Sequence, residues 1–318
     1  MIIDTHMHVW RYPDHFNKEA MLANQPERRR SWPDEKFKAM WDNPVERYLE
    51  EAGGVVDKSI LMTLSSAKTF GITVPNEYMA NLKKQYPDKL EWACNIDPVQ
   101  LEAPRELERW VRAGAIAVGE MGPAYHGFYI NDERAYPFFA KAQDLNVPII
   151  VHAGPAQSKN LRMKYGDVLR LDDVAIDFPN LRLVICHMGY YKYEDAIHLT
   201  QKHDNVFMDC SWLPQLSGLD RISLPKYLPV VLNPYFNLLY PLMRYFAETW
   251  GGTDKLIWGT DWTGGHPKTS MEAILHLNTH LKKFGLPEVP QKVLDNIIYE
   301  NWKKVYPGLA AAAESKTR

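Results

Sequence analysis

Three cysteines in 318 residues are too few, and too odd in number, to build a disulfide framework. Cys94, Cys186 and Cys210 each sit inside an apolar run and read as reduced core residues. Charge of one sign is also missing: 37 Lys and Arg face 39 Asp and Glu, for a formal net charge of -2. That balance gives no electrostatic case for nucleic acid or an anionic membrane surface, and the expected partner is a small-molecule substrate. No uninterrupted apolar run approaches the roughly 20 residues that cross a bilayer. No basic, apolar leader precedes Asp4, so the expectation is a cytoplasmic protein. Internal repeats are absent as well, and the only low-complexity tract is the closing LAAAAESKTR, which reads as a frayed helix end.

What is present is a recurrence. Short runs rich in Val, Ile and other apolar residues alternate with longer segments of helical period, the pattern of parallel β/α units. Eight such runs occur: IIDTHMH near Ile2, VDKSILMTL near Val56, LEWACNI near Leu90, AIAVGEM near Ala115, VPIIVHA near Val147, LRLVICH near Leu181, NVFMDC near Asn205 and KLIWGTD near Lys255. Eight strands alternating with helices predict a distorted (β/α)8 (TIM) barrel, one domain over residues 1–308 with a tail at 309–318. Between the runs, PNEYMANLKKQY opens on proline and YPFFAKAQDLN ends on a residue that tolerates a left-handed cap, so both read as helices. Two connections are long and rich in proline and aromatics: residues 10–41 after the first strand and 211–236 after the seventh. Loops after barrel strands lie at the catalytic mouth, so these segments would cover the site or bind substrate. They suit subunit contacts equally well, and the expected assembly is a homo-oligomer, dimer or tetramer. The basic cluster around Arg28 reads as a solvated face.

The chemistry-bearing residues fall at the carboxyl ends of the predicted strands. In IDTHMH, alternation puts His6 and His8 on one strand face and Thr5, Met7 and Val9 on the other. An isolated pair of this kind is as compatible with chance as with half a metal site. However, His152 ends the fifth strand, His187 the sixth and Asp261 the eighth, while Glu120 ends the fourth. Glycine adjoins several of these positions, in HAG, HMG, GEMG and GTDW, where the chain has to turn sharply. Imidazole and carboxylate donors converging on one rim suit zinc.

With those residues in place, IDTHMH, IIVHAG, DDVAIDFPNLRLVICHMG, LIWGTDW and VLDNIIYENWKKVYPG resemble the amidohydrolase superfamily over nearly the whole chain. The layout is most similar to the amidohydrolase-related branch that includes aminocarboxymuconate semialdehyde decarboxylase, γ-resorcylate decarboxylase and several metal-dependent hydrolases. The resemblance implies that His6, His8, His152 and Asp261 hold one divalent ion, most often zinc and sometimes manganese. It also implies that His187 is the catalytic histidine beside the activated water. Glu120 departs from the lysine common in that branch and resembles the glutamate of two-metal branches. It would bridge a second ion, orient a ligand histidine or form a buried ion pair, with the orienting role favoured here.

The leading expectation is hydrolysis of a C–O or C–N bond, in a lactone or amide of a small cyclic or aromatic carboxylate-type substrate. Asp261 is then the general base, and His187 orients water or steadies the oxyanion. The runner-up is non-oxidative decarboxylation by a carbon–carbon lyase, for which Lys159 and Arg162 are the candidate cations near the substrate carboxylate. A barrel that binds without turnover is the third reading. Trp10, Trp212 and Trp262, each beside a motif, are candidates for a stacking wall, with loop packing as the plain alternative.

Overall fold

The computed structural model describes residues 1–24, 30–153, 158–219, 234–248 and 252–315. Its frame is a sheet of eight parallel strands. The ten strands in chain order are β1 (Ile3–Met7), β2 (Lys58–Met62), β3 (Ser65–Ser66), β4 (Ile72–Thr73), β5 (Leu90–Cys94), β6 (Ala117–Met121), β7 (Ile149–Val151), β8 (Leu183–Ile185), β9 (Val206–Asp209) and β10 (Leu256–Ile257). The barrel order is β1-β2-β5-β6-β7-β8-β9-β10, and β3 and β4 form a separate antiparallel pair that the sequence pattern did not announce. Each of the eight apolar runs supplies one barrel strand. The ring closes just past β10, where Thr5 N–H donates to the Trp258 carbonyl (3.3 Å) and Asp261 N–H to the His6 carbonyl (2.7 Å). Met7 also pairs in parallel with Trp262.

Strand faces sort the core. Outward residues such as Leu61, Trp92, Val118 and Met208 join the large cluster under the helices. Inward residues Ile3, Ile60, Ala93, Ile150, Val184 and Phe207 fill the lower bore, and Trp302, Val305 and Tyr306 stopper its amino-terminal end. Burying each such aliphatic or Phe side chain is worth about 1.5–3 kcal/mol. Helices Asn76–Gln85 and Tyr136–Asp144 form where Pro75 and the YPFF start predict them, and Asn146 takes the left-handed conformation (φ 57°) after the second. The closing helix, Pro307–Ser315, begins before residue 309 and packs Leu309 and Ala310 against the stoppered end of the barrel.

The long connection after β1 holds helices at Lys18–Asn24, Asp34–Trp41 and Val45–Ala52. The connection after β9 is described on either side of residues 220–233. Arg28 of the basic cluster lies outside the described residues, whereas Arg30 is exposed. All three cysteines are buried and unpaired. Among the described residues, no helix is long and apolar enough to cross a membrane.

Candidate metal centre and its cavity

Above the apolar bore, the inward positions turn polar. On β1 the pairing register shifts between Asp4 and Met7, so Ile3 faces the bore and, across this irregularity, His6 and His8 face it too. β6 shifts register between Val118 and Met121 in the same way, and Glu120 turns inward. β7 and β9 deliver His152 and Asp209 by plain alternation from Ile150 and Phe207. At the ends of β8 and β10 the chain bends instead: His187 (φ 53°) and Asp261 (φ 54°) occupy the left-handed region, as does Trp212 (φ 63°). That region costs a non-glycine residue energy and clusters at functional sites. Gly259 permits the approach of β10 to β1, since a Cβ there would lie 2.7 Å from the His6 Cβ.

The donor atoms converge. His6 Nε2 and His8 Nε2 are 3.2 Å apart. Asp261 Oδ1 lies 3.8 Å from the first and 3.4 Å from the second, and Glu120 Oε2 lies 4.0 and 3.3 Å from them. Donors around one tetrahedral ion at about 2.0–2.1 Å stand roughly 3.3 Å from one another, so the His6, His8 and Asp261 donors suit a single divalent cation. Glu120 faces both ways: its Oε1 is hydrogen-bonded to His152 Nδ1 and lies 3.7 Å from His187 Nε2. Thus His6, His8 and Asp261 form one ligand-capable group, Glu120, His152 and His187 the next, and Glu120 touches both. Glu120, expected to orient a ligand histidine, is hydrogen-bonded to His152 through Oε1, while its Oε2 lies 3.3 Å from His8 Nε2.

The supports are specific. His8 Nδ1 is 3.0 Å from the Met62 carbonyl. His6 Nδ1 is 3.0 Å from Asp209 Oδ2, while Asp209 Oδ1 accepts from His187 N–H (2.9 Å) and from Ser211. His187 Nδ1 in turn meets Ser211 Oγ at 2.7 Å. Asp4, fully buried, accepts from Tyr48 Oη (2.8 Å), Thr260 Oγ1 (2.7 Å) and Thr260 N–H (2.9 Å), tying β1 to the turn that carries Asp261. Burial pushes its carboxyl up to about 6 despite those bonds. Burial also opposes charge on Glu120, Asp209, His6 and His187, but opposite partners win in each case. His152 and its neighbours hold Glu120 well below the usual carboxylate range. His6 takes Asp209 down to about 2, and Asp209 with Glu120 and Asp261 takes His6 up to about 10. His187 rises beside Glu120, Asp261 and Asp209. Such a carboxylate-rich cluster draws cations: protons when it holds no metal, a divalent ion when one is supplied.

A cavity of about 340 Å³ opens over the cluster, with His8, Glu120, His152, His187 and Asp261 at its floor. Its wall is apolar and aromatic: Trp10 and Trp41 from the connection after β1, Phe70 and Ile72 from the β3–β4 pair, and Tyr125, Tyr190 and Trp212. Tyr125 stacks against His152 (ring centroids 5.1 Å) and lies directly over Gly122, where any side chain would collide with its ring. Of the three tryptophans expected in the wall, Trp10 and Trp212 are there. Trp262 is not: it is buried behind the wall, edge-on to Tyr48 (5.4 Å), and donates to Glu51 Oε2 (2.8 Å). The left-handed Asp261 turns its own side chain inward and sends the next one out. Lys159 and Arg162 are both exposed and do not line the cavity. Among the described lining residues there is no lysine or arginine.

Sequence reasoning missed Asp209, Ser211, Asp4, Tyr125 and Trp41. A signal existed only for Asp209, a lone carboxylate closing the apolar run VFMD just as histidines close its neighbours.

A family model described as Amidohydrolase matches residues 3–308. No curated protein matches the chain in sequence. Solved structures do match in fold. An uncharacterized TIM-barrel protein from Bordetella bronchiseptica is 19% identical over 96% of this chain and 97% of its own, with a TM-score of 0.64. A probable 2-pyrone-4,6-dicarboxylic acid hydrolase from Acinetobacter baumannii, solved with citric acid bound, is 19% identical over 96% and 99%, TM-score 0.62. A 5-carboxyvanillate decarboxylase from Novosphingobium aromaticivorans, complexed with manganese and a nitrobenzoic acid, is 13% identical over 96% and 96%, TM-score 0.63.

Proposed function

Because the chain belongs to the amidohydrolase family, we propose that it is a metal-dependent hydrolase that cleaves a C–O or C–N bond, in a lactone or amide, of a small ring-bearing substrate. One observation carries the reading: His6, His8 and Asp261 bring three donor atoms within 3.8 Å of one another, with Glu120 Oε2 3.3 Å from His8 Nε2, at the floor of an aromatic cavity. His6, His8 and Asp261 would hold the ion, with Glu120 beside His8; His152, expected as the fourth ligand, bonds Glu120 through Nδ1 and lies with His187 on the other side of that carboxylate. Zinc suits the mixed imidazole and carboxylate set best, with manganese second. When bound, the ion supplies Lewis-acid polarisation of a substrate oxygen and lowers the pKa of water.

The chain's own groups do the rest. Asp261 is the most open carboxylate of the cluster, its side chain about one-fifth exposed, and this carboxylate would take a proton from the attacking water. His187 has Nδ1 engaged by Ser211 and turns Nε2 toward Glu120 and the cavity. From there it donates to the oxygen that gains charge as the carbonyl is attacked. Asp209 positions both His6 and His187. The aromatic wall excludes water from the ring-binding side.

Decarboxylation of an aromatic acid is less well supported, because Lys159 and Arg162 stand away from the cavity. Elemental analysis of the purified protein, followed by incubation with lactones, amides and hydroxybenzoic acids, tests the choice. About one zinc or manganese per chain and acid release without carbon dioxide is the expected result. Carbon dioxide from the hydroxybenzoates would overturn it in favour of the lyase. A metal-free protein inert to the whole panel would favour a binding role.

A further inference from the structure

We infer that the chain carries a second ligand site, outside the metal cavity, for a planar, ring-bearing organic molecule with an oxyanion head. The site is a recess of about 690 Å³. Three successive connections at the carboxyl ends of the strands wall it: Tyr129 follows β6, Met163, Lys164 and Arg170 follow β7, and Tyr191 and Lys192 follow β8. It shares no described lining residue with the metal cavity. The two spaces adjoin through one aromatic pair, Tyr190 on the cavity side and Tyr191 on the recess side, with ring centroids 3.9 Å apart. The inference does not depend on which reaction the metal centre performs.

Charge selects the head. Lys164, Arg170 and Lys192 place three cations around the recess. Two carboxylates stand against them: Asp167, with Oδ2 3.5 Å from Arg170 Nε, and Asp195, with Oδ2 3.6 Å from Lys192 Nζ. Lys164 pairs with no carboxylate among the described residues, and its Nζ lies instead 4.9 Å from the Tyr165 ring centre and 5.6 Å from that of Tyr129. The Arg170 guanidinium sits 3.9 Å over the Tyr129 ring. Its position is therefore braced before a ligand arrives, and less freedom is lost on binding. A guanidinium beside ammonium groups suits a carboxylate, phosphate or sulfonate. The rest of the lining selects the body. Met163 and Tyr191 are each more than half exposed, so with Tyr129 they leave a thioether and ring surface open beside the cations. An inorganic anion would use the charges and leave that surface wet. An uncharged ring would use the surface and leave Lys164 without a counter-charge. Only a molecule with both parts uses the whole recess, whose volume falls within the range of organic ligand pockets.

Naphthalene-2-sulfonate is the probe, because a sulfonate is a weak metal ligand and so tells the recess from the metal cavity. Inorganic sulfate and uncharged 2-naphthalenemethanol are the controls. Binding to the full chain loaded with its ion is measured by calorimetry at about pH 7.5 and about 0.15 M salt, where distant surface charges are screened. The expected result is one sulfonate per chain, bound about ten-fold more tightly than either control. Lys164 and Lys192 are both exposed, so the fold tolerates their replacement. Lys164→Glu combined with Lys192→Glu should weaken the sulfonate about ten-fold and leave 2-naphthalenemethanol unchanged. Tyr191→Ala should weaken the sulfonate about three- to ten-fold and leave sulfate unchanged. No sulfonate binding, or either control binding as tightly, overturns the inference. So does sulfonate affinity that survives the paired lysine replacements or the loss of the Tyr191 ring, since the ligand would then sit elsewhere.

Discussion

The lower and upper halves of the barrel bore are built from the same eight strands and, for the most part, the same inward positions, yet they solve opposite problems. Below, Ile3, Ile60, Ile150, Val184 and Phe207 need only one another and the stopper of Trp302 and Tyr306. Above, His6, Glu120, Asp209 and His187 are as thoroughly buried, but each depends on polar partners, charged ones among them. The lower half is held by area removed from water. The upper half is held by pairing, and removing one member leaves another uncompensated. The contrast teaches that stability and reactivity occupy different storeys of one ring, so that substitutions should separate them.

The largest expected effect is on turnover. Asp261→Asn should lower kcat about 10²- to 10⁴-fold while thermal melting stays near that of the parent chain, and full retained activity would break the division. From the other storey, Phe207→Ala should cost about 3–5 kcal/mol in denaturant unfolding without changing the metal content per folded chain. Loss of the ion in that variant would show that the storeys are not separable. Asp209→Asn sharpens the boundary, since it removes the charge behind His6 and His187 while leaving the proposed ligands themselves in place. Metal affinity should fall about 10- to 100-fold, read by competition with a chelating dye.

The pH response follows from His6. In chelator-treated protein its imidazole is raised from 6.5 to about 10, so the stability it contributes is fully present below pH 6.5 and is lost as pH rises to 10. An incoming ion displaces that proton, so metal binding should release protons between pH 7 and 9 and tighten as pH rises. Calorimetry in two buffers of different ionisation enthalpy checks this, and zero proton release would refute it. The smallest effect belongs outside the bore. Trp262→Phe removes one hydrogen bond to Glu51 and should cost about 0.5–1.5 kcal/mol with unchanged kcat.

The eight strands were legible because each is a compact apolar run. His6, His8, His152, His187 and Asp261 were legible because donors at the ends of such runs stand out. What could not be read was direction wherever the backbone leaves plain alternation. The register shifts on β1 and β6 put Ile3 and His6 on one face and aim Glu120 inward. The left-handed turn at Asp261 sends Trp262 outward, against expectation. Trp41 and Tyr125 reach the cavity from helices whose orientation is a matter of packing, not of pattern. Lys159 and Arg162 were placed by proximity in sequence alone, and proximity does not specify which way a loop faces.

The bond from Asp261 to the His6 carbonyl and the grip of Thr260 on Asp4 join segments about 250 residues apart. On the ribosome, the opening strand must therefore wait, its histidines without their carboxylate partners, until nearly the whole polypeptide has emerged. Chains stalled or cut before residue 256 would hold most of the barrel's sequence and none of its seam. Two separately expressed fragments, by contrast, could regain function only by re-forming two joins, β9 to β10 and β10 to β1.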